Sequence, residues 1–348
     1  MAVTAPAIPE IPRKTPSTGT SDLSWDPILN PVQGFLRRVT EQLEAQIDQF
    51  EPEIAEHARY ALDNRGKQLR PALVGLSAGA VGRLRPEHLT IAVLVEMIHL
   101  ATLVHDDIMD GAQVRRARPT VGARWGNHLA VLLGDCLFAH AMTMAASLSA
   151  QDVFQALAQA TSAVCTGEIL QSNRRHRWDL PRSEYLRMVE MKTAELFAVA
   201  AELGARHGGG TPAQVAALRD FALASGTAYQ IYDDCLDLYG SETAAGKSLG
   251  TDLATGKLTL PLIVLLERST PADSAEITGW LHHWSPEHLP AIQDRLDSHG
   301  ALTECSNVIE GLLTRARRAL ELLPDTSERH ALDVFTRFIA RQTSLLAR

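Results

Sequence analysis

The sequence is short of aromatics, has no paired cysteines and carries no excess of positive charge. Aromatic residues make up 5% of its 348 positions. The apolar 45% is mostly Ala, Leu and Val, a bias that favours helix over sheet. Four cysteines, Cys136, Cys165, Cys235 and Cys305, stand far apart with no CxxC pair. That argues against a cysteine zinc site or a disulfide scaffold and for reduced thiols. The formal net charge is −8, which argues against nucleic acid as a partner. No run of about 18 uninterrupted apolar residues occurs, so no membrane-spanning segment is expected. The N-terminus has no apolar signal core, and a cytoplasmic location is expected. No Ser-His-Asp or Cys-His pattern offers a nucleophile.

What remains reads as helix. Residues 1–24 are rich in Pro, Thr, Ser and Ala and read as a disordered tail. Residues 25–348 read as one all-α catalytic domain of ten or more helices. Apolar residues recur at spacings of three and four through Ile91, Leu94, Val95, Ile98 and Thr102. The same period runs through 157–169, 185–203 and 215–238. Breaks fall at Gly or Pro, as at Gly66, Pro86, Pro119, Pro181, the three glycines 208–210, and Gly246 to Gly256.

Two acidic clusters interrupt these apolar stripes. Asp106, Asp107 and Asp110 lie in HLATLVHDDIMD, and Asp233, Asp234 and Asp237 in YQIYDDCLDL. In a helix, positions i and i+4 share one face, about 6 Å apart. Like charges there repel, and bare carboxylates beside apolar residues are poorly solvated. A hard divalent cation with oxygen ligands resolves both problems, and magnesium commonly bridges carboxylates to phosphates. One such cluster could be a solvated acidic helix end, since short motifs match by chance. Two of them point to a cage for metal and diphosphate.

Cations accompany each cluster. Lys67 and Arg70 lie in GKQLRP, Arg115 and Arg116 in VRRARPT, and Lys247 and Lys257 in GKSLGTDLATGKLTLP. Arg forks match phosphate oxygens, and Lys supplies a point charge. The run Asn173 to Trp178, NRRHRW, is also basic. It reads first as a solvated helix end and only second as a diphosphate or partner contact.

From about residue 30 to the C-terminus the chain resembles the trans-isoprenyl (polyprenyl) diphosphate synthases. The segments that carry the resemblance occur in the family's order: GKQLRP, EMIHLATLVHDDIMD, RRARPT, GNHLAVLLGDCLFAHA, GEILQ, MKTAELF, GTAYQIYDDCLDL and GKSLGTDLATGKLTLP. The resemblance implies the isoprenoid synthase fold, a helical bundle around a deep central cavity, and a homodimer. It implies head-to-tail, 1'-4 condensation of isopentenyl diphosphate with an allylic diphosphate. Asp106, Asp107, Asp110 and Asp233 would hold Mg2+, with Asp234 and Asp237 in support. Arg115, Lys192, Lys247 and Lys257 would grip the allylic diphosphate. Lys67, Arg70, His99 and Arg116 would bind isopentenyl diphosphate. Lys192, Thr193 and Gln230 would border the ionising allylic group.

The resemblance also bears on product length. In the family, the two positions four and five before the first Asp set the cavity depth. Here they are Thr102 and Ala101, both small, with Met97 and Ile98 one turn deeper. A product longer than farnesyl is expected, with geranylgeranyl as the alternative. One departure stands out. The family's Gly after the Arg pair is Ala117 here, which is strained if that position needs positive φ. Three other readings compete. A terpene cyclase usually carries a different second motif. A non-catalytic partner subunit would have lost its acidic motifs. A His-Asp phosphohydrolase, suggested by His105-Asp106, needs further metal histidines that the sequence does not assemble.

Overall fold

A computed structural model describes residues 24–64, 66–148, 150–240 and 249–347. Lys247 and all but the last residue of the 1–24 tail lie outside the described residues. The described chain is a mostly helical bundle, as the apolar periodicity predicts. Its centre is α10 (Glu195–Gly208), which packs against α4 (Leu69–Val81), α5 (Pro86–Met109), α8 (Gln151–Asn173) and α11 (Pro212–Tyr239). Leu196, Phe197, Val199 and Leu203 on α10 are at most 2% exposed. Burial of such side chains stabilises by about 1.5–3 kcal/mol each. Further helices, α16 (Ala301–Leu320) and α17 (Ser327–Leu345), close the bundle beside α11 and α4.

Proline and capping side chains fix where the long helices begin. Pro86 and Pro212 sit at the first helical position of α5 and α11, where a missing N–H costs nothing. Thr211 and Gln214 form a reciprocal capping box at the start of α11. Both helices then run more than twenty residues and end at the acidic clusters.

Two details depart from the sequence reading. The 185–203 stretch is not one continuous α-helix. It runs as α9 (Arg182–Val189), a π-turn over Glu190–Ala194, and then α10. The π-turn holds Lys192 and Thr193, and such widened turns often mark functional positions. A short hairpin also forms where no strand is expected: β1 (Val114–Arg115) pairs antiparallel with β2 (Arg118–Pro119). Its two turn residues, Arg116 and Ala117, have φ of 51° and 61°. So the position where the family has Gly does need positive φ, and Ala117 carries the strain.

Two helices are long and apolar enough to cross a membrane by length and composition, which the run-length criterion had not anticipated: α5 and α7 (Asn127–Ser147). Most of α5 is buried inside this bundle, as a core helix would be. By contrast, α7 buries one stripe, Ala130, Leu133, Leu137, Ala141 and Ala145, and leaves Val131 and Leu132 exposed.

Candidate active site

Both acidic clusters occupy the last turns of their helices. Asp110 is the residue that caps α5, and Asp237 is two residues from the end of α11. A helix C-terminus carries the negative end of the macrodipole. Three carboxylates there repel both one another and the dipole. The structure shows what offsets this at each cluster.

At the first cluster the compensation is cationic. The Arg115 Nε donates to Asp107 Oδ1 at 2.7 Å. Arg175 donates to Asp110 Oδ1 at 2.8 Å, and Lys257 to Asp110 Oδ2 at 2.9 Å. Burial raises the Asp106 and Asp107 carboxyls above their usual range, although Lys192 opposes it at Asp106 and Arg115 at Asp107. Burial would raise Asp110 too, but Lys257, Lys192 and Arg175 outweigh it and hold that carboxyl low.

At the second cluster, neutral groups among the described residues donate to Asp234 and Asp237. Tyr185 Oη donates to Asp234 Oδ2 at 2.5 Å, and Gln230 Nε2 to Asp234 Oδ1 at 2.8 Å. Thr251 Oγ1 and the Asp252 backbone N–H donate to the two oxygens of Asp237, at 2.7 and 3.0 Å. Burial, and then the Asp252 charge, push the Asp234 carboxyl well up despite these donors.

Lys257 links the two clusters. Its ammonium holds Asp110 and lies 3.8 Å from Asp252 Oδ1, while the Asp252 backbone binds Asp237. On the π-turn, Lys192 pairs with Glu168 of α8 and donates to Gln171 Oε1 at 2.9 Å. Burial lowers its pKa, but Asp106 and Glu168 more than restore it, so the ammonium stays charged. Helix α8 reaches the turn only because residue 167 is glycine. A Cβ there would stand 2.7 Å from the Lys192 backbone nitrogen. Thr193 donates to Gln230 Oε1 at 2.9 Å, which completes a chain Thr193, Gln230, Asp234, Tyr185.

A second positive region lies beside α4 and α5. Burial lowers the Arg70 guanidinium to about 10, and its Cζ lies 4.7 Å over the Phe197 ring. Burial, then Arg70, Arg115 and Arg116, hold His99 well below its usual range, so the imidazole is neutral. Arg116 donates to the Asn64 carbonyl at 2.8 Å. Lys67 stands 4.2 Å over the Trp25 ring. These four are the residues expected to bind isopentenyl diphosphate. Of the residues expected to set chain length, Ala101, Met97 and Ile98 are at most 1% exposed. Thr102 is half-buried and donates to the His99 carbonyl at 2.7 Å.

The carboxylate oxygens suit a hard cation, and burial of Asp106 leaves that charge poorly solvated. Among the described residues, however, no three acidic or imidazole side chains converge as a ready-made metal nest. Asp107 and Asp110 of the first cluster hold protein cations. His105 does not join the site: its Nε2 lies 3.1 Å from the Val131 carbonyl on α7. That removes the phosphohydrolase reading. The basic run at 173–178 is not merely a solvated helix end, because Arg175 reaches Asp110. Sequence reasoning missed this role of Arg175. It also missed Tyr185, Glu168, Gln171, Asp252 and Trp25. Glu168, Gln171 and Asp252 lie inside quoted motifs, and that was the available signal.

A mostly helical bundle whose two longest apolar helices end in linked aspartate clusters, ringed by lysine and arginine, defines a class: enzymes that work on diphosphates. The profile of the polyprenyl synthetase family matches residues 51–294. The chain is 35% identical over 274 residues to an octaprenyl diphosphate synthase of Escherichia coli (strain K12), covering 78% of this chain and 85% of that one. It is 32% identical over 317 residues to a short chain isoprenyl diphosphate synthase of Methanothermobacter thermautotrophicus, covering 90% and 98%. Its fold matches the crystal structure of a polyprenyl synthase from Caulobacter crescentus CB15 complexed with calcium and isoprenyl diphosphate. That match has a TM-score of 0.87 at 31% identity and covers 92% of this chain and 99% of that one. The chain belongs to the polyprenyl synthetase family and is a trans-prenyltransferase, a polyprenyl diphosphate synthase.

Proposed function

We propose that this enzyme extends an allylic diphosphate with isopentenyl diphosphate, using Mg2+, to a product longer than farnesyl. One observation carries the reading. Lys257 ties Asp110 of the first cluster to Asp252, which binds Asp237 of the second. Both clusters therefore belong to one site. In it, Asp106, Asp107, Asp110 and Asp233 are the metal ligands, supported by Asp234 and Asp237. Bound metal supplies charge stabilisation for the leaving diphosphate. Arg115, Lys192, Lys247 and Lys257 hold the allylic diphosphate and share that stabilisation. Lys67, Arg70, His99 and Arg116 orient isopentenyl diphosphate. Thr193 and Gln230 line the space where the allylic cation forms, and the apolar wall of α5 keeps water from it. Thr102 and Ala101, with Met97 and Ile98 beneath, set how far the chain grows.

A homodimer fits the surface. Val131, Leu132 and Ile169 are 42%, 52% and 61% exposed on α7 and α8, and a second copy would cover them.

Labelled isopentenyl diphosphate with farnesyl diphosphate tests the reading. Radiolabelled products longer than the primer, lost on chelation of divalent metal, are expected. Inorganic phosphate alone, cyclic hydrocarbon, or full activity in chelator would contradict it.

A further inference from the structure

The Asp110 carboxylate holds two cations, one on each oxygen. Lys257 is one of the residues expected at the diphosphate. Arg175 belongs to the basic run that reads only second as a diphosphate or partner contact, and it comes from the loop that follows α8. Its guanidinium donates to Asp110 Oδ1 at 2.8 Å and to the Met109 carbonyl at 3.2 Å. The side chain is largely enclosed, at 22% exposure. Its Nε is buried with no hydrogen-bond partner, so one donor of the fork is unused.

The loop is fastened to the segment that carries Lys257. The His176 backbone N–H donates to the Gly256 carbonyl at 2.7 Å. His176 sits at φ 60° and Gly256 at φ 71°, and a Cβ on Gly256 would lie 2.4 Å from the imidazole. Residues 175 and 257 are therefore delivered as a pair. Their neighbours are otherwise engaged, Arg174 with Glu184 and Arg177 with Asp179. Within the basic run, Arg175 is the arginine that turns inward.

Asp110 is shared between two cations, and Lys257 has a second carboxylate, Asp252, at 3.8 Å. A guanidinium fork with a spare N–H suits a diphosphate better than a single shared carboxylate oxygen. We propose that Arg175 is an additional ligand for the allylic diphosphate. Its guanidinium rests on Asp110 and would serve the diphosphate where Asp110 holds a metal ion. This rests on the prenyl-transfer reading above and adds a residue to it.

The assignment predicts effects of opposite sign on two ligands. In Arg175→Gln, a competitor for Asp110 is gone, so Mg2+ alone binds as tightly or more tightly. Inorganic diphosphate with Mg2+ binds about tenfold more weakly, the scale of a lost charge-assisted hydrogen bond. Arg175→Lys recovers part of that loss. The KM for the allylic substrate rises, and the KM for isopentenyl diphosphate does not move. Calorimetric titration of the three full-length proteins reads the affinities, and thermal melting checks folding. Diphosphate affinity unchanged, or both affinities weakened together, would overturn the assignment while leaving the wider reading intact. If wild type binds no diphosphate in magnesium, the assignment and the wider reading fall together.

Discussion

The two aspartate clusters have the same spacing and the same place at the end of an apolar helix, yet they are held differently. At the first, Arg115, Arg175 and Lys257 neutralise Asp107 and Asp110. At the second, Tyr185, Gln230, Thr251 and a backbone N–H fix Asp234 and Asp237. A cation on a carboxylate is an exchangeable partner. A phosphate or a metal ion can take either side of the pair. A tyrosine or glutamine on a buried carboxylate is a scaffold, costly to leave unpaired. Under the proposed function, the ion pairs of Asp107 and Asp110 are expected to exchange on binding, and the neutral donors to Asp234 to keep their geometry.

Substitution can break this contrast. The largest effect is expected from Asp106→Asn, which removes a proposed metal ligand and should lower kcat by 100-fold or more, with little change in melting temperature. Asp234→Asn should divide the other way. It disturbs the Gln230 and Tyr185 bonds and should cost about 1–3 kcal/mol of stability, read by denaturant unfolding. Equal stability losses for the two variants would erase the distinction between an exchangeable and a scaffolded cluster.

Next in size is product length. Ala101 is fully buried while Thr102 is half-buried. Ala101→Phe should shorten the product, and overpacking should cost about 1–3 kcal/mol. Thr102→Phe should shorten it at a smaller cost in stability. Chromatography of the products reads the first effect and melting the second. Unchanged chain length in both variants would remove α5 as the floor of the cavity.

The smallest effect concerns His99. Burial and its arginine neighbours lower its pKa well below 6.5. Below pH 6.5 the unfolded chain takes up a proton that the native imidazole refuses. Acidification through that window should therefore weaken the fold. In His99→Gln the slope of stability against pH should be shallower between pH 6.5 and 5. An unchanged slope would place the acid sensitivity elsewhere.

The helices, the acidic clusters and most of the cations were legible in the sequence, because each is a local pattern. Apolar spacing marks a helix such as α11, and i, i+1, i+4 aspartates mark a carboxylate face. The rest depends on what the fold brings together over long stretches of chain. Tyr185 meets Asp234 across 49 residues and Arg175 meets Asp110 across 65. Nothing in YLRMV or NRRHRW encodes either partner. The π-turn at Lys192 packs against α8 at Gly167, a contact made across more than twenty residues of chain. Ala117 lay between these cases. The missing glycine was visible, but its φ of 61° had to be seen in the hairpin.

The central claim is that Asp110 exchanges protein cations for metal while Asp234 keeps its Tyr185 and Gln230 donors. A crystal structure with Mg2+ and an unreactive allylic thiodiphosphate tests it most directly. The account predicts Asp106 and Asp110 on metal, Lys257 and Arg175 on diphosphate oxygens, and the Tyr185 and Gln230 bonds to Asp234 unchanged. Asp110 still bound by both Lys257 and Arg175, with the diphosphate elsewhere, would contradict it.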